Sequence, residues 1–107
     1  MKLASNSALY QYLEHLAAEC HLVGLETLAD RLRLANRFSI GSSTEFLDEA
    51  QKALELVLRE APNHLSSLKL ADVRSAINQI KQAFDQVGGG RSLPPTGASL
   101  LHLVAPP

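Results

Sequence analysis

Residues 41–62 read as one complete helix, with its start, body and stop all encoded in the chain. Ser42 and Glu45 stand in the Ser-x-x-Glu spacing of a capping box. There the serine oxygen accepts from an orphan backbone N–H and the glutamate reaches back to the cap residue. The body carries apolar side chains at Phe46, Leu47, Ala50, Ala53, Leu54, Val57, Leu58 and Ala61. Pro62 cannot donate a backbone hydrogen bond and disfavours helix at the residue before it. An apolar face this wide has to be covered on at least two sides, so this helix is expected at the centre of a helical domain.

Three further helices are predicted around it. In residues 7–23, Leu9, Leu13, Leu16, Cys20 and Val23 recur at steps of four and three, and Gly24 follows as a C-terminal stop. Residues 25–38 carry Leu25, Leu28, Ala29, Leu32 and Ala35 on one face. In residues 69–87, Leu70, Val73, Ile77, Ile80, Phe84 and Val87 form a narrow two-in-seven seam, with Ala76 and Ala83 beside it as points of close approach. Short connections favour antiparallel neighbours. The expected fold is therefore all-α, a small up-down bundle of about four helices. Aromatics make up only 5% of the 107 residues and Trp is missing, so the core has to be aliphatic. Phe46, Leu54, Val57, Leu58, Leu13, Leu16, Leu32, Ile77 and Ile80 are the expected core.

The predicted bundle occupies residues 1–87. Gly88, Gly89 and Gly90 end the last helix, and residues 88–107 hold four of the five prolines. That stretch reads as a Pro/Gly-rich tail, flexible or docked. Its apolar part, residues 98–104, is too short to hold a helix alone, and the tail is expected to add little to the stability of the domain.

Ten basic and eleven acidic residues leave a net charge of -1, which gives no overall attraction to nucleic acid or to an anionic membrane. A single cysteine, Cys20, excludes an internal disulfide and fits a reducing, cytoplasmic setting. No signal-peptide pattern follows Lys2, and no apolar run approaches the ~18 residues of a membrane span.

Motifs that carry chemistry are sparse. His15 and Glu19 lie one helical turn apart with His21 nearby, but zinc requires three or four protein ligands and Cys20 falls on the apolar stripe. Neither a metal nor a cofactor is expected. Cys20 has no base placed beside it by the sequence, so no catalytic residue is assigned either. Arg31, Arg33 and Arg37 make the second helix basic toward its end, and with the capped helix that follows they loosely suggest a helix-turn-helix. The third helix would then have to face phosphates, yet it carries five acids against two bases. The same acids, Asp48, Glu49, Glu55 and Glu60, form a candidate strip for a basic partner, with Asp48–Lys52 and Glu55–Arg59 spaced as i,i+4 pairs. Tyr10 lies off the apolar stripe as a candidate interface anchor.

These features point to a non-enzymatic interaction module of bacterial type, an adaptor, a regulator or an immunity-type neutralising protein. Its expected partner is another protein or a second copy in a two-fold dimer, because Tyr10, Ala18, Leu22 and Leu34 fall outside the stripes. The alternatives are a nucleic-acid-associated regulator using Arg31, Arg33 and Arg37, and a small-ligand-binding bundle with a pocket at His15, Glu19 or Cys20.

Overall fold

The computed structural model describes residues 2–88. The expected tail lies outside the described residues, apart from the backbone of Gly88 at the end of the last helix. Four helices run in order: α1 (Asn6–Leu22), α2 (Glu26–Asn36), α3 (Ser43–Glu60) and α4 (Ser67–Gly88), with a 3₁₀ turn at Arg37–Ile40 between α2 and α3. There is no strand among the described residues.

The helix ends follow from local chemistry. Ser5 caps α1, its side chain accepting from the Ala8 N–H at 3.1 Å. At the other end Gly24 adopts φ +83°, a conformation that costs glycine nothing and other residues more. The Gly24 N–H donates to His21 O and the Leu25 N–H to Cys20 O, at 3.0 and 2.8 Å. This pair of bonds closes a Schellman motif. Ser42 caps α3, accepting from the Glu45 N–H at 3.4 Å.

Two boundaries differ from the sequence expectation. The second helix does not continue to Phe38. Its α-helical part stops at Asn36 and tightens into the 3₁₀ turn. Gly41 and the Ser42 cap follow at once, so the chain has to reverse within a few residues, and a tighter turn does so while Phe38 still packs on the core. The fourth helix starts at Ser67 rather than residue 69. Ser66 is the cap, accepting from the Lys69 N–H at 3.2 Å, but no acid stands three residues on to advertise it.

Cross-links fix the topology. Asn36 Nδ2 donates to Tyr10 O (3.2 Å) and to Glu14 Oε2 (2.7 Å), placing the end of α2 beside the first half of α1. Arg31 Nη2 donates to Glu49 Oε1 at 2.9 Å between α2 and α3. Lys69 pairs with Glu19, and the Leu3 N–H donates to Gln79 Oε1 at 2.8 Å, so α4 runs antiparallel to α1. The result is an up-down-up-down bundle. Its core holds Leu9, Leu13, Leu16, Leu32, Phe46, Leu54, Val57, Val73, Ile77 and Ile80, all buried. Leu58 is the exception to the expected list. It is half-buried against the core, because the face of α3 is wider than the arc its neighbours cover. Ala76 and Ala83 are buried, as small residues at a close approach must be. Among the described residues no helix is long and apolar enough to cross a membrane.

Candidate functional site

Two of the candidate surfaces read from the sequence meet in one ion-pair network. Arg31 and Glu49 are both half-buried and hydrogen-bonded to each other. Glu49 Oε2 lies 3.5 Å from Lys52, and Lys52 Nζ lies 3.0 Å from Asp48 Oδ2. Hydrogen bonding to Asp48, and the charges of Asp48 and Glu49, push the Lys52 ammonium pKa upward. Asp48 and Glu49 are thus matched by Arg31 and Lys52, which removes most of the local charge excess. Glu55 is half-buried and accepts from Gln51 Nε2 at 3.2 Å, although its spacing had suggested Arg59. Glu60 sits apart, exposed at the end of α3. Arg33 and Arg37 are exposed toward the opposite end of the bundle. Arg31 is held by Glu49, so the three arginines do not form one free basic edge.

The α1–α4 seam holds a cleft of about 80 Å³ lined by Tyr12, His15, Leu16, Glu19, Lys69 and Asp72. A water needs roughly 10–15 Å³ of such volume, so this cleft admits a few waters or a very small solute. Glu19 is occupied by Lys69. The Tyr12 hydroxyl is enclosed without a hydrogen-bond partner. Burial, and then the negative charge of Asp72 and Glu19, push its pKa well above the ordinary phenol value. It stays protonated and is no general base. Cys20 is fully buried and is not part of the cleft lining. Burial first and Glu19 second raise its pKa, which disfavours the thiolate that nucleophilic chemistry requires. Among the described residues no three His, Cys, Asp or Glu side chains come together as a metal-ligand group.

What remains is apolar surface, and it is concentrated at the two ends. Leu22 (81% exposed), Val23 (46%) and Leu68 (79%) lie at one end. The Glu19–Lys69 pair holds the first turn of α4 against the last turn of α1 and so brings these residues to the same end. Beside Val23 the α1–α2 turn opens a cavity of about 210 Å³, lined by Gly24, Leu25, Glu26, Thr27, Leu28 and Glu60. At the other end Ile40 closes the 3₁₀ turn with 94% of its surface exposed. Along the sides the large exposed apolar residues of the described chain are Tyr10 and Leu34, both more than half covered.

The sequence reading had marked Tyr10, Leu22 and Leu34 as off-stripe. It assigns no face to Ile40 and Leu68, which lie between the predicted helices. An isoleucine directly before a glycine and a helix cap was the available signal, since a connector residue has no helical stripe to bury it.

Comparison with family models, with curated proteins and with solved structures finds no match to this chain.

Proposed function

We propose that the protein is a non-enzymatic protein–protein interaction module, an adaptor, a regulator or an immunity-type neutralising protein, acting in a reducing cytoplasm. The observation that carries this reading is the exposure of Leu22, Val23 and Leu68 at one end of the bundle, where the Glu19–Lys69 pair holds the start of α4 against the end of α1. Single exposed leucines are ordinary. Several gathered at one end, next to a cavity, are the kind of patch that marks a docking site. The charge network on α3 agrees with this reading, because Asp48 and Glu49 are matched by Arg31 and Lys52 and do not form a free acidic strip. The buried, protonated Cys20 is consistent with a reducing compartment.

The test is affinity capture from the source cell with three baits: the native chain, a Leu22→Asp/Leu68→Asp variant, and a Gln82→Asp side-face control. Prey retained by the native chain and the control but lost from the end variant supports the proposal. Prey retained equally by all three places binding elsewhere and refutes it.

A further inference from the structure

We propose that the chain associates with itself head to tail, the Ile40 knob of one copy seating in the α1–α2 turn cavity of the next. This rests on the docking reading above and names the partner as a second copy. The two features sit at opposite ends. Ile40 is at the junction of α2 and α3, whereas the cavity is formed by the start of α2 and, through Glu60, the end of α3. The 18 residues of α3 separate them, about 27 Å at 1.5 Å per residue.

Size and charge both fit. The depression of about 210 Å³ is open to solvent and lined by Leu25 and Leu28 together with Glu26, Thr27 and Glu60, and it has room for the four-carbon side chain of Ile40. Leu22 and Val23, both exposed, directly precede Gly24 of its lining. The knob carries Arg37 in its own turn and Arg33 one helical turn before it, both exposed. Two acids, Glu26 and Glu60, line the cavity; Glu26 is shared with His21, which leaves Glu60 as the partner for Arg37. A two-fold dimer would have to close both knob-in-cavity contacts within one pair, whereas a knob and a cavity at opposite ends of the bundle each engage a different copy. A contact of this heterologous kind adds copies until a ring closes or a filament grows. It differs from the two-fold dimer expected from the sequence.

Sedimentation velocity over a micromolar concentration series tests the proposal, using the full chain. The native protein should pass from one chain to species larger than two. Ile40→Asp removes the knob, and Thr27→Trp fills the cavity at an exposed position. Each should weaken association by about thirtyfold, the effect expected of an interface anchor. Circular dichroism confirms that both variants are folded. An equimolar mixture of the two should form a species of two chains and stop there, because only one good knob and one good cavity remain. Arg37→Glu should weaken association, and Arg37→Glu with Glu60→Arg should restore it. A monomer at every concentration overturns self-association, while the capture assay above reads separately whether the same ends take a different protein. A fixed dimer, or variants that fail to complement each other, overturns the head-to-tail arrangement.

Discussion

Leu54→Ala should remove a large part of the stability of the domain. Leu54 is fully buried on α3, and α3 packs against both α2 and α4. The substitution deletes three carbons, and at about 0.8 kcal/mol for each buried group the lost transfer free energy is roughly 2.4 kcal/mol. A cavity term adds to it, since neighbours on two sides collapse only partly, and Leu-to-Ala changes of this kind cost about 3–5 kcal/mol. We expect about 3–4 kcal/mol. For a domain of this size each kcal/mol shifts Tm by about 4–8 °C, so calorimetry should show a fall of at least about 12 °C. Leu58→Ala, on the same helix but half-buried, should cost about 1 kcal/mol. If the two variants melt within about 4 °C of each other, α3 is not the central element and the packing argument fails.

Other consequences follow from the polar groups. The Tyr12 phenol has a folded pKa above its ordinary 10.0, so the folded chain keeps a proton that the unfolded chain releases. That contribution is complete below pH 10 and is lost as pH rises beyond it. Tyr12→Phe should therefore flatten the alkaline decline in Tm, and parallel declines in the two proteins would contradict the burial of the phenol. Arg31 and Glu49 should show a coupling of about 1 kcal/mol in a urea double-mutant cycle, at the upper end for exposed pairs because both are half-buried; a coupling near zero would mean that the pair does not form in solution. Native Cys20 should resist iodoacetamide at about pH 8 while the urea-unfolded chain reacts quickly, and equal rates would place the thiol at the surface.

The helices were legible because their signals are local. The Ser42 cap, Gly24, and the spacing of Leu9, Leu13 and Leu16 each act within one or two turns, and the structure uses them where the sequence places them. Of the expected capping box only the serine half forms, with the Glu45 side chain exposed. The end of α2 was less legible, because the 3₁₀ turn depends on how quickly the chain must reverse into α3 and not on any residue between 37 and 40. The fate of the charges was not legible at all. Arg31 and Glu49 are 18 positions apart, and only the antiparallel pairing of α2 and α3 brings them together. Charges read helix by helix look like two surfaces, and the fold turns two of them into one internal link. The ends were hidden for a related reason. Ile40 and Gly24 belong to turns, and Leu68 and Glu60 to the terminal turns of α4 and α3, where periodicity does not separate an exposed apolar residue from a buried one.

The claim that the ends of the bundle dock proteins and the sides do not is tested most directly by site-specific photocrosslinking. A benzophenone side chain is placed in turn at Ile40, at Leu22 and at Gln82, which is exposed on α4. Each full-length chain is irradiated in lysate of its source cell, and the products are mapped by mass spectrometry. Crosslinks from Ile40 and Leu22 and none from Gln82 are expected, with those from Ile40 falling on residues 24–28 or 60 of a second copy. Equal labelling from all three positions, or a product from Gln82 alone, would contradict the claim.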